Sequence, residues 1–265
     1  MNMTSKSFRQ SFRQPFIVTG AASGIGAATL ALLGGSGHHC IAIDRVAPKS
    51  EGHYLACDLA DEAAIVSACA AVEGPLAGIA YVAGVPGTWP GPMVMKVNYL
   101  GARRLIEGLM PKLADGASVV LISSLAARHC GLEAPLLQKL LGLSQWDAVN
   151  EAIEADTIGG PRAYEISKGL LNAWMPQATR LGARRGIRFN VISPGPVATP
   201  ILQDFRDSMG HARVDAAEQL VGRFGRAEEI AAVIAFLLGS SASWVNGTEI
   251  VVDGGLQALR EVAAA

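Results

Sequence analysis

Seven short apolar runs, separated by stretches with helical spacing, constrain this chain more than any other feature. They are FIVTG (16–20), CIAID (40–44), HYLACD (53–58), LAGIAYVAG (76–84), SVVLISS (118–124), IRFNVIS (187–193) and TEIVVDGG (248–255). Helical patterns intervene from about Gly24, from about Asp61, near 93–114, 161–185 and 226–238. Strands that alternate with helices and stay apolar along their whole length are buried on both faces. The expected fold is therefore α/β, a Rossmann-like doubly wound parallel sheet in a single domain. With 265 residues, half of them hydrophobic, the chain has material for one large core.

The first run leads straight into TGAASGIG, where Gly20, Gly24 and Gly26 open a helix. Glycines there clear side chains from backbone amides, and a helix N-terminus attracts a pyrophosphate. The spacing is G-x-x-x-G-x-G rather than G-x-G-x-x-G, so the turn alone is weak evidence. The second strand ends at Asp44, near the distance of roughly 20 residues at which an acid meets the adenosine ribose. Its plainer reading is a turn acid or N-cap. As a ribose ligand it favours NAD, since a 2′-phosphate would be repelled, while Arg45 leaves some room for NADP.

In AYEISK (163–168), Tyr164 and Lys168 stand four apart in a predicted helix, and so on one face. Hydride transfer from an alcohol carbon needs a group that takes the hydroxyl proton. A phenol titrates near ~10, and a neighbouring ammonium would stabilise its anion. For this pair in isolation, coincidence on a helix face remains the alternative. Ser124, at the C-terminal end of a predicted strand, could hydrogen-bond a substrate oxygen. Ser123 is its rival, and strand alternation lets only one of them face the substrate.

Taken in order, these motifs identify the chain as resembling a short-chain dehydrogenase/reductase from residue 15 to about 256. The resemblance implies that Gly20, Ser23, Gly24, Ile25 and Gly26 form the cofactor turn and that Asp58 and Leu59 touch adenine. It implies that Ala83 and Gly84 let the cofactor approach, and that Pro194, Gly195, Val197 and Thr199 in SPGPVAT hold nicotinamide. Ser124, Tyr164 and Lys168 resemble the catalytic set, in which Tyr164 and Lys168 also contact the cofactor. Asn98 in KVNYLGA resembles the asparagine that supports a water linking the lysine to solvent. The expected activity is that of an NAD-dependent alcohol dehydrogenase/carbonyl reductase.

Two departures stand out. The family's N-A-G is Val82-Ala83-Gly84 here, so the asparagine's hydrogen bonds must be absent or replaced. The stretch between Ser124 and Tyr164 is much longer than is usual in the family, which places an insertion at about 129–160. Leu136, Leu137, Leu140 and Leu141, then Trp146, Val149 and Ile153, have helical spacing, and Ser144 with Asp147 could cap the second helix. This helix pair could cover a substrate or meet a partner subunit. The insertion, VNY-x-GA, AFLL and the DGG ending resemble the bacterial 3α-hydroxysteroid dehydrogenase/carbonyl reductase branch.

The segment at about 197–224 falls where the family keeps its substrate loop, and Ile201, Leu202, Phe205 and Met209 suggest a partly apolar lid. Apolar residues on two flanks favour a bulky apolar alcohol or ketone: a hydroxysteroid, a cyclic terpenoid or an aryl carbinol. No fixed cation demands a carboxylate, although Arg206 or Arg213 could swing in. The alternatives are a catalytically silent NAD-binding regulator and a dihydrodiol or monoterpenol dehydrogenase.

Composition excludes other classes. The 22 basic and 23 acidic residues nearly cancel and no basic run occurs, which argues against a nucleic-acid partner. No apolar run reaches membrane-span length. Four cysteines without C-x-x-C spacing fit a reducing compartment, and the expected location is cytoplasmic. Adjacent His38 and His39 lack the spacing of a metal site, and no metal is expected. Residues 1–14 read as a disordered tail, and the resemblance implies a homodimer or homotetramer.

Overall fold

The computed structural model describes residues 14–143 and 158–263, with isolated positions 145, 148 and 151 between them. Residues 1–13 of the expected tail lie outside the described residues. The seven apolar runs form β1 (Phe16–Thr19), β2 (Cys40–Asp44), β3 (His53–Ala56), β4 (Leu76–Tyr81), β5 (Leu113–Ile122), β6 (Arg188–Pro194) and β9 (Glu249–Val252). All pair in parallel in the order β3-β2-β1-β4-β5-β6-β9. The order reverses between β1 and β4, and beyond the C-terminal ends of these strands such a sheet opens a crevice for ligands.

Alternation along each strand feeds two cores. Ile17, Ile43, Val119 and Leu121 pack on one face with Leu105, Leu171 and Trp174. Their neighbours Val18, Ala42, Val120 and Ile122 pack on the other with Ile230, Ile234 and Leu237. Both faces are buried, which is why the runs are apolar without interruption. The helices behind them are Ala102–Leu109 and Gly160–Gly182 on the first face, and Ala227–Leu238 on the second. Asp61 caps the helix Glu62–Ala71, accepting from the amides of Ala63 (2.8 Å) and Ala64 (3.3 Å).

The helix expected over 93–114 is instead broken. A short helix, Gly91–Met95, passes into a π-helical turn, Lys96–Gly101, before Ala102–Leu109 resumes, and β5 already begins at Leu113. Gly101 sits at the irregularity with the Leu59 carbonyl packed against it, which leaves no room for a side chain. Within 197–224 lie two helices, Leu202–Met209 and His211–Val221. A two-residue pairing of β7 (Val197–Ala198) with β8 (Gly225–Arg226) joins the two ends of the segment. A C-terminal helix, Leu256–Ala263, follows β9 and was not expected.

Only the first helix of the insertion, Ala134–Gly142, is among the described elements. Ser144, Trp146, Asp147, Val149 and Ile153, on which the second helix was expected, lie outside the described residues. No described helix is long and apolar enough to cross a membrane. Among the described residues, no three His, Cys, Asp or Glu side chains cluster as metal ligands.

Candidate active site

β1 ends at Thr19, and the chain turns through Gly20 at φ +65° and Gly24 at φ +53° into the helix Gly24–Gly35, with Ser23 as its N-cap. Close approach explains the glycines. A Cβ on Gly20 would lie 2.9 Å from the Cα and N of Ala83, and one on Gly26 would run into the Gly20 carbonyl. Fully buried Thr19 accepts hydrogen bonds from the amides of Val82 and Ala83, both at 3.0 Å. A β1 threonine thus ties the turn after β1 to the turn after β4 in a chain that lacks the N-A-G asparagine.

Asp44 sits where β2 ends, its carboxylate accepting from Ala22 N at 3.0 Å and Val46 N at 3.2 Å. The acid is therefore held against the glycine turn. Asp58 accepts from Ala60 N at 2.9 Å beside buried Leu59. Across the crevice, β6 ends at Pro194, followed by Gly195, Val197 and Thr199, and a Cβ on Gly24 would come within 3.3 Å of the Thr199 methyl. All these residues, with Ser23, Ile25, Ala83 and Gly84, line one cleft of about 350 Å³. A side-chain-free turn, helix N-terminal amides and a carboxylate fixed beside them fit a nicotinamide dinucleotide.

At the end of β5 the backbone sorts the two serines. Ser123 turns inward and its hydroxyl donates to the Lys168 carbonyl at 3.1 Å, anchoring the helix Gly160–Gly182. Ser124, which like Ser123 borders the cleft, caps the turn Leu125–His129 by accepting from Ala126 N (3.2 Å) and leaves its hydroxyl on the Tyr164 side. Burial pushes the Tyr164 phenol up to about 12, and the neighbouring Ser124 hydroxyl partly offsets that rise. Lys168 is 3% exposed and donates from Nζ to the Ile122 carbonyl at 2.8 Å. Burial pulls its ammonium down to about 8. That ammonium lies 5.7 Å from the Tyr164 ring centroid, so spacing i, i+4 brings the two groups together as the sequence predicts.

Asn98 stands apart. Its side chain accepts from Val85 N at 2.8 Å and donates to Val85 O at 3.0 Å and Ser167 Oγ at 3.2 Å. It is fully buried and does not line the cleft. Gly84 separates it from Lys168, since a Cβ there would sit 3.3 Å from Asn98 Oδ1 and 3.4 Å from Lys168 Nζ. The asparagine's amide fastens the loop after β4 to the helix Gly160–Gly182, and its Oδ1 borders the same space beside Gly84 as Lys168 Nζ.

The two helices within 197–224 border the other end. The Phe205 ring lies 5.1 Å from the Tyr164 ring at 60°, and Ile201, Leu202, Met209 and Val214 extend the apolar wall. Arg206 does not swing in: it pairs with Asp215 at 3.0 Å, binding the two lid helices together, and stacks over Phe224. The insertion helix Ala134–Gly142 is not a cover over the cleft. Its Leu140 and Leu141 are buried in the core, and Arg103 donates to the Leu141 carbonyl at 2.6 Å. None of its residues lines the cleft.

Motif reasoning missed several contributors, among them Trp89, Leu256 and Arg260. Trp89 lines the cleft with the Arg45 guanidinium 5.2 Å above its ring, and Leu256 and Arg260 enter from the C-terminal helix. Only the aromatic in the loop after β4 offered any signal.

A family profile described as short chain dehydrogenase matches residues 14–135, and one described as Enoyl-(Acyl carrier protein) reductase matches 149–257. The chain is 34% identical over 242 residues to a coniferyl-alcohol dehydrogenase from Pseudomonas sp. (strain HR199), covering 91% of this chain and 95% of that protein. It is 32% identical over 248 residues to a 3-alpha-hydroxysteroid dehydrogenase/carbonyl reductase from Comamonas testosteroni, covering 92% and 96%. Among solved structures, the 3-alpha-hydroxysteroid dehydrogenase from Pseudomonas sp. B-0831 complexed with NADH superposes with a TM-score of 0.82 at 32% identity, over 94% of this chain and 99% of that one. Profile, sequence and fold agree over nearly the whole length, and the chain belongs to the short-chain dehydrogenase/reductase family of oxidoreductases.

Proposed function

We propose that the protein is an NAD-preferring dehydrogenase/reductase of a bulky, largely apolar alcohol or ketone, with Tyr164 as its acid/base. The observation that carries this reading is the meeting of Tyr164, Ser124 and Lys168 at one end of a cleft whose other end holds the glycine turn and Asp44. NAD supplies the hydride acceptor. In alcohol oxidation Tyr164 Oη takes the hydroxyl proton while the Ser124 hydroxyl holds the same oxygen. Lys168, held on the Ile122 carbonyl, presents positive charge to the phenol and lowers the cost of its anion. In ketone reduction the buried phenol, protonated at neutral pH, returns the proton.

Asp44 supports NAD over NADP, because a carboxylate fixed by two backbone amides would repel a 2′-phosphate. The NADH complex of the Pseudomonas relative points the same way. The apolar wall from Leu125 to Val214 and the coniferyl-alcohol and hydroxysteroid relatives support an aromatic or polycyclic substrate. The test is oxidation of aryl carbinols, cyclic terpenols and hydroxysteroids with NAD and NADP in parallel, in wild type and Tyr164→Phe. Turnover with NAD, lost by about two to four orders of magnitude in the variant while NAD binding persists, is expected. Retained turnover in Tyr164→Phe would sink the assignment.

A further inference from the structure

The carboxylates lining the cleft are confined to one end. Its acids, Asp44 and Asp58, lie where β2 and β3 end, beside the glycine turn, and no other carboxylate lines it among the described residues. The lid end instead carries Arg213, on the helix His211–Val221, and Arg260, on the C-terminal helix. Arg260 has no carboxylate within ion-pair distance among the described residues.

Arg213 is only loosely held. Its nearest acid is Glu165, next in sequence to Tyr164, and the gap between Arg213 Nη1 and Glu165 Oε1 is 3.8 Å, beyond hydrogen-bond reach. Glu165 already has a closer partner, Arg162, at 3.0 Å. One carboxylate thus serves two guanidiniums. The neighbouring lid arginine differs: Arg206 is engaged by Asp215 at 3.0 Å and lies near Glu218 at 3.9 Å. Arg213 is therefore a guanidinium placed beside the catalytic helix, at the edge of an apolar wall, with its donors unspent. A planar fork of that kind matches a carboxylate.

We propose that the substrate end of the cleft selects an apolar alcohol or ketone that carries an anionic group away from the reacting carbon, with Arg213 as the principal contact and Arg260 as the second. The proposal rests on the activity proposed above and names the class of substrate for the same site. The apolar body lies against Phe205, Met209 and Val214, and its carboxylate reaches the mouth where the two arginines stand.

The test compares each acid with its own methyl ester: 4-(1-hydroxyethyl)benzoate, and a 3-hydroxysteroid bearing a side-chain carboxylate. At low ionic strength kcat/KM should favour the acid by roughly three- to fivefold, the worth of a partly exposed ion pair. The preference should shrink with added salt. Arg213→Gln should bring the acid-to-ester ratio close to one, Arg213→Lys should restore part of it, and Arg184→Gln, on an exposed turn outside the cleft, should leave it intact. Esters turned over as well as the acids, or a preference that survives Arg213→Gln, overturn the anionic class while the dehydrogenase reading stands. Failure of both acids and esters to turn over overturns the two together.

Discussion

Replacing Lys168 by methionine should abolish a pH dependence of stability that the wild-type protein carries. In the folded chain the ammonium is 3% exposed and burial lowers its pKa from 10.5 to about 8. A group of this kind costs stability wherever the folded state must keep it charged. Below about 8 that cost is fully present; between about 8 and 10.5 the unfolded chain holds a proton that the folded chain has released, so stability rises with pH. At 1.36 kcal/mol per pH unit, the gain is about 3 kcal/mol across the window. Tyr164 shifts from 10 to about 12 and acts in the opposite sense, but only above pH 10, where the unfolded phenol ionises first. Urea unfolding of wild type and Lys168→Met from pH 7.5 to 10, at fixed protein concentration and without dinucleotide, isolates the effect, because every other titrating group is common to both. Between pH 7.5 and 10 the difference in unfolding free energy should change by about 2 kcal/mol in favour of wild type. Parallel profiles would refute the claim that Lys168 titrates in a desolvated site.

Three further outcomes follow from the packing. Gly26→Ala drives a methyl into the Gly20 carbonyl, and should lower stability by about 1–3 kcal/mol and weaken NAD binding together; a normal melting curve with normal NAD affinity contradicts the close approach. Asp44→Ser should raise the NADP-to-NAD ratio of kcat/KM by about tenfold or more, the loss of one like-charge repulsion, and an unchanged ratio removes Asp44 from the ribose site. Leu140→Ala should cost about 2–5 kcal/mol, as truncation of a buried leucine does, while leaving KM for the preferred alcohol unchanged. A raised KM with unaltered stability would return the insertion helix to the substrate.

What the sequence reveals and what it hides divide along one physical line. Patterns set by a local period are legible. Ile17 and Val18 go to opposite cores because successive strand residues face opposite ways, and the same rule separates Ser123 from Ser124. Tyr164 and Lys168 meet because helical spacing is fixed. Features set by contacts distant in sequence are not. Within the helix expected over 93–114, the π-helical turn ends at Gly101, whose missing side chain makes room for the Leu59 carbonyl, and nothing near Gly101 announces that neighbour. Thr19 ties the loop after β4 to β1 by accepting from amides 63 and 64 residues away. Asn98 fastens the loop at Val85 to Ser167 of the helix Gly160–Gly182, partners that only the assembled loop decides. The lid is the extreme case: Arg206 and Arg213 are seven residues apart and looked equally able to reach a substrate. Asp215 secures one of them, while Glu165 is shared with Arg162 and leaves the other loosely held. Substrate choice in such a fold therefore depends on which side chains the packing leaves unsatisfied.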